Sequence, residues 1–209
     1  EVTSDPPPPG SHDLFARPAA VIDDLVRATP REGLALLAAQ PALATLEKAS
    51  AGRTGMGQEL ARALASTDAW DHVLMDCPPT LGVLMVNALA ACDLLVVPTQ
   101  TEPLAVHGMN AMLRTADMVG RSRGRPIPAC VLPTLHDRRP RIAQQALDSM
   151  RSRSGTQVYG DVVPLDTRLR EAEQQSMAPA QFLQCSPLAA DPVGSAQDER
   201  EQRQYRPRD

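Results

Sequence analysis

The chain has 209 residues, 43% hydrophobic and only 2% aromatic, with a formal net charge of −4. That length suffices for one α/β domain with an aliphatic core, and no apolar run reaches the roughly 18 residues of a membrane span. Cys77, Cys92, Cys130 and Cys185 show neither zinc-ligand nor CxxC spacing, so they read as thiols of a cytoplasmic protein, not as disulfides or metal ligands.

Residues 1–15 open with "EVTSDPPPPG". Consecutive prolines cannot continue a helix or a central strand, so a proline-rich loop is expected. The acidic start is unlike a signal peptide. "RPAAVIDDLVRATP" (17–30) carries apolar residues at helical spacing, and "GLALLAA" (33–39) is a short strand-like run. "PALATLEKAS" (41–50) opens on a proline that suits a first helical turn. "GMGQELARALAST" (55–67) reads as a further helix.

A βα alternation follows. "HVLMD", "DLLVVPTQ", "IPACVLPTL" and "QVYGDVVP" read as strands; "LGVLMVNALAAC", "LAVHGMNAMLRTADMVGRSR", "RIAQQALDSMRSRS" and "DTRLREAEQQS" read as helices. Continuous apolar strands joined by helices predict an α/β fold, a doubly wound, mostly parallel sheet with ligands outside the carboxyl ends of its strands. Residues 16–184 are expected to form this domain. Residues 185–209, rich in charge and poor in apolar side chains, are expected to be a disordered tail.

Asp76 ends the strand "HVLMD" at the expected ligand edge, where a carboxylate serves a Mg²⁺–phosphate site; capping the next helix is the plainer role. "VLMDCPP", followed by "LGVLMVNALAACDLLVVPTQTEPLAVHG", resembles the ParA/MinD family of P-loop ATPases with a deviant Walker A motif. "VLPTLHDRR", "VVPLDTRLREA" and "APAQF" extend the resemblance over roughly residues 33–182, and "LATLEKASAGRTGMG" is most similar to the ParA-like positioning ATPases of chemotaxis operons.

The resemblance implies ATP and Mg as cofactors and a P-loop NTPase type of sheet. It casts Asp76 as the catalytic Walker B carboxylate, near Mg and acting through water. It places Pro78 and Pro79 beside the γ-phosphate, and Thr134, Pro164 and Asp166 in the loops bordering base and ribose. It also implies a nucleotide-bound homodimer, nonspecific DNA binding, and a ParB-like or chemotaxis scaffold partner. Asp166 also suits an N-cap before "TRLREA". The end of the chain lacks the amphipathic helix of membrane-binding relatives, so no membrane partner is expected.

A Walker A loop needs glycines and a lysine for the β- and γ-phosphates. "GRTGMGQ" (52–58) has the glycine spacing but Gln58 in place of lysine. The chain's one lysine, Lys48, has no glycine beside it, whereas arginine occurs 20 times. The family's first strand and P-loop would therefore lie ahead of residue 1. Without that strand, its neighbours would expose backbone and apolar groups, leaving the isolated chain poorly stable or paired with another.

Residues 1–102 carry a net charge of −7, residues 103–170 +6 and residues 171–209 −3. Arg138, Arg139, Arg141, Arg168 and Arg170 fall where the resemblance places DNA-binding basic residues, and guanidinium groups suit phosphates; a solvated surface is the bland alternative. Two functions remain open: an ATP-dependent positioning or partitioning switch, and a non-catalytic pseudo-ATPase module that keeps the fold and partner surfaces. An amide-ligase-type relative is a weaker third.

Overall fold

The computed structural model describes residues 8–17, 20–49, 56–78, 82–152 and 157–166. Helix α1 (Ser11–Ala16) starts inside the stretch expected to be a loop. It is anchored at both ends of its first turn. Asp13 Oδ2 accepts from Gly10 N–H at 3.1 Å and from Gln40 Nε2 at 3.0 Å, and Ser11 N–H donates to Ala38 at 2.9 Å. These bonds hold Asp13 below the usual carboxylate range, chiefly through the Gln40 amide.

The helix expected over 17–30 does not form. A single 3-10 turn at Ile22–Asp24 leads into β1 (Arg27–Ala28), which pairs antiparallel with β2 (Ala35–Leu36). The intervening turn decides against the helix. Gly33 takes φ of 73°, which favours glycine, and Thr29 Oγ1 donates to Leu34 O at 2.8 Å. Helices α2 (Ala42–Ala49) and α3 (Glu59–Ala65) follow as expected, the latter entered through a 3-10 turn at Met56–Gln58. Leu14, Ile22 and Leu25 form a small core against Leu60, Ala63 and Leu64 of α3.

Helix α4 (Val83–Ala91) is apolar nearly all round. Its buried Met85 and Leu89 pack with Cys92, Ala116 and Ile127. Then come β3 (Leu95–Gln100), the long α5 (Pro103–Ser122), β4 (Ala129–Thr134), α6 (Arg141–Arg151) and the short β5 (Gln157–Val158). The three strands form a parallel sheet in the order β3-β4-β5, with Leu95 opposite Ala129 and Gln100 opposite Thr134. α5 and α6 share one face of it, where Val97 and Val131 meet Met109, Leu113 and Met150.

"HVLMD" is not a strand in this structure. Residues 72–78 form no ladder with any described segment. Met75 and Cys77 pack on the α4–α5 cluster, while Leu74 is 95% exposed and Val73 46%. A strand needs a neighbour for its N–H and C=O groups, and none of the described segments supplies one. β3 is likewise open on this edge, and its Val96 is 49% exposed. The helix expected from Asp166 onward lies outside the described residues.

Candidate nucleotide-binding edge and basic surface

Parallel strands deliver their carboxyl ends to one edge of the sheet. β3 ends there in Gln100 and the buried Thr101, and β4 ends in the half-buried Thr134. Immediately after β4, Leu135 takes φ of 50°, an uncommon conformation for a branched, non-glycine residue. His136 follows, 5% exposed. Its N–H donates to Val163 O at 3.1 Å, its carbonyl accepts from Leu165 N–H at 3.1 Å, and it forms a parallel bridge with Pro164. Val163 N–H donates in turn to Pro133 O at 2.9 Å. Thr134, Pro164 and the half-buried Asp166, expected from sequence to border one ligand, thus sit on neighbouring segments of one edge.

Asp76 and Pro78 are placed differently. Both are exposed, on the segment that has no backbone bond to the sheet; Pro79 lies outside the described residues. Asp76 forms no hydrogen bond or ion pair among the described residues. Beside it, burial pushes the Cys77 thiol up, with the Asp76 charge adding to the effect. No group of three or more His, Cys, Asp or Glu side chains among the described residues could hold a metal ion. Mg²⁺ prefers oxygen ligands and keeps several waters when only one or two carboxylates are present. A lone exposed carboxylate does not hold it unaided.

The basic surface starts one residue past His136. Asp137 is engaged by Arg139: Nη2 donates to Oδ2 at 2.7 Å, Nε to Oδ1 at 3.0 Å, and the backbone N–H to Oδ1 at 3.0 Å. The Arg139 guanidinium holds the Asp137 carboxyl down at about 2. Arg138 and Arg141 are exposed and have no acidic partner among the described residues. Arg141 opens α6, whose first turn carries no acidic residue. A cation there opposes the helix dipole, so its place is not explained by helix stability. Arg168 and Arg170 lie outside the described residues.

Other arginines have structural work. Arg123 caps the end of α4, donating from Nη1 to Leu89 O at 3.2 Å, Ala90 O at 3.0 Å and Cys92 O at 2.8 Å. Arg125 pairs with Asp93 at 2.8 Å and Arg151 donates to Gly160 O at 3.0 Å. Sequence reasoning passed over His136 and Thr101. The signal was a histidine directly after an apolar strand, in a place where burial is costly unless its ring nitrogens find partners.

A family model described as an AAA domain matches residues 13–126, more than half of the chain. The chromosome partitioning protein ParA of Caulobacter vibrioides is 33% identical over 165 residues, which cover 77% of this chain and 61% of that protein. The chain belongs to the ParA/MinD family of P-loop ATPases. The sporulation initiation inhibitor protein Soj of Bacillus subtilis is also 33% identical, over 77% of this chain and 64% of its own length. Among solved structures, the chain is similar to one titled cobyrinic acid a,c-diamide synthase from Mycobacterium smegmatis, with bound ADP and magnesium. That likeness has a TM-score of 0.65 at 30% identity and covers 81% of this chain and 74% of that one. The parallel sheet is therefore that of a P-loop NTPase. The chain spans about three fifths of the length of the curated relatives it matches. No helix among the described residues is long and apolar enough to cross a membrane.

Proposed function

We propose that the chain supplies the base-side loops and Walker B carboxylate of a ParA-type, ATP-dependent dimerisation switch that partitions DNA or positions chemoreceptor clusters. One observation carries this reading: the ends of β4 and the 163–166 segment bring Thr134, Pro164 and Asp166 together at the carboxyl edge. In it, these residues border the base and ribose. Pro78 and Pro79 shape the turn beside the γ-phosphate, and Asp76 faces the magnesium that the phosphates hold. Magnesium would neutralise phosphate charge once nucleotide is bound; the described residues offer it no cage of their own. Membership of the family and the bound ADP and magnesium of the M. smegmatis structure support the cofactors.

Turnover needs a lysine beside the phosphates, and these 209 residues contain only Lys48, exposed in α2. The second reading is a pseudo-ATPase module that keeps the fold and the partner surfaces without hydrolysis, and a lysine-bearing glycine loop in the full-length protein would rule it out. In both, nucleotide would favour a homodimer, and Arg138, Arg139, Arg141, Arg168 and Arg170 would hold DNA phosphates irrespective of sequence. A ParB-like or chemotaxis scaffold protein would complete the system in the cytoplasm.

Backbone amide NMR during addition of millimolar Mg·ATP tests the reading. Shifts at Thr134, Leu135, Leu165 and Asp166 are expected. Spectra that do not move, or that move only at α1–α3, would sink it.

A further inference from the structure

Three chain segments end at the candidate edge, and one buried side chain joins them. His136 Nδ1 lies 3.1 Å from Thr101 Oγ1, which ties the end of β4 to the end of β3. The backbone of the same residue takes Val163 on one side and Leu165 on the other. Both members of the side-chain bond are almost fully buried, His136 at 5% and Thr101 at 2%. A buried imidazole without its partner is costly, so the hydroxyl of Thr101 fixes where this ring can sit. Leu135, immediately before it, stays at φ of 50° with its side chain 39% exposed, and Leu165 beyond the bridge is 46% exposed. A strained residue persists only where its surroundings over-determine it, and the anchors on His136 supply that constraint.

We propose that His136 is a positioning residue: through Thr101 and the 163–165 backbone it locks the ends of β3 and β4 and the 163–165 segment into one rigid unit, so the loops carrying Thr134, Pro164 and Asp166 cannot move independently. The lock rests on the geometry alone; its consequence for a ligand rests on the nucleotide reading above. Without it, Leu135 relaxes from the left-handed conformation and the 163–166 segment parts from β4. A ligand bridging the two loops would then have to order them itself, and its affinity would fall by that ordering cost.

The test replaces the hydroxyl while keeping the shape. Thr101→Val removes the bond, and Thr101→Ser retains it. Hydrogen exchange by NMR on the full chain is expected to accelerate about fivefold or more at His136 and Leu165 N–H in Thr101→Val, with Val97 N–H unchanged and Thr101→Ser matching the unaltered chain. Equal acceleration at Val97 would mean general destabilisation and would overturn the proposal, as would no change at His136 and Leu165. His136→Phe, which fills the space without a ring nitrogen, should repeat the Thr101→Val pattern; normal protection in it would also overturn the proposal. Adding Mg·ATP separates the two ideas. If the unaltered chain shows no shift, the nucleotide reading fails while the exchange result still decides the lock. If it binds and Thr101→Val binds equally well, the link between lock and ligand is overturned.

Discussion

The guanidinium of Arg139 grips both oxygens of Asp137, with Nη2 2.7 Å from Oδ2 and Nε 3.0 Å from Oδ1. This bidentate pair neutralises one of the three arginines in "HDRRPR" and leaves Arg138 and Arg141 as the available cations. Their contributions to phosphate binding should differ accordingly. In anisotropy titrations with duplex DNA, Arg138→Ala combined with Arg141→Ala should weaken binding to every sequence alike. It should also reduce the slope of log K against log salt by about 2, since each phosphate contact contributes about 0.9. Arg139→Ala should change the slope less than either single replacement of the free pair. An Arg139→Ala effect equal to that of either single replacement would show that the ion pair opens on DNA.

Arg141 also sits at the positive end of the α6 dipole. Its replacement by alanine should stabilise the fold by about 0.5 kcal/mol while weakening DNA binding. Chemical denaturation should show the gain in stability, and anisotropy titration the loss of affinity. Stability lost together with affinity would mean that Arg141 has a structural partner.

Asp137 gives a pH signature. Its folded value is about 2, held down first by the Arg139 side chain and then by the Arg139 backbone N–H. A depressed carboxylate adds stability above its unfolded value, near 3.9. That stability is lost as pH falls from about 4 through about 2. Carboxyl-carbon NMR of Asp137 should show a midpoint near 2 in the parent and a return toward 3.9 in Arg139→Ala. An unchanged midpoint would assign the depression to another group.

Arg123 and Asn87 hold α4 at its two connections. Arg123→Ala removes donors from the Leu89, Ala90 and Cys92 carbonyls and should cost about 2 kcal/mol in urea unfolding. Lysine should recover less than half of that, because an ammonium lacks the planar fork. Asn87, fully buried, accepts from Leu60 N–H at 3.2 Å and donates to Val83 O at 2.9 Å. Asn87→Ala should cost about 1–3 kcal/mol by stranding the α3 donor. A neutral outcome would mean that water reaches Leu60.

The helices α4, α5 and α6 and the strands β3 and β4 were legible because each carries its own periodicity or apolar run, and their neighbours agree with it. The segment 17–30 was not. Its apolar spacing fits a helix, yet Gly33 and Thr29 close a hairpin that only the partner Ala35–Leu36 makes worthwhile. "HVLMD" has strand composition, but strand formation depends on a neighbour that no local pattern reveals. Thr134 and Pro164 were singled out through the family motifs, and the structure places them on neighbouring segments of one edge. His136 was missed because its role lies in a contact with Thr101, 35 positions away.

We propose that the edge contacts base and ribose, whereas within these 209 residues no lysine is placed for the phosphates. Titration calorimetry of this 209-residue chain with Mg·ATP and with AMP, each repeated on Asp76→Ala, tests it most directly. With no lysine to hold the phosphates, ATP should bind no more tightly than AMP, and Asp76→Ala should change neither. Tight ATP binding that disappears in Asp76→Ala would contradict it, showing that this chain holds phosphates without the glycine-loop lysine.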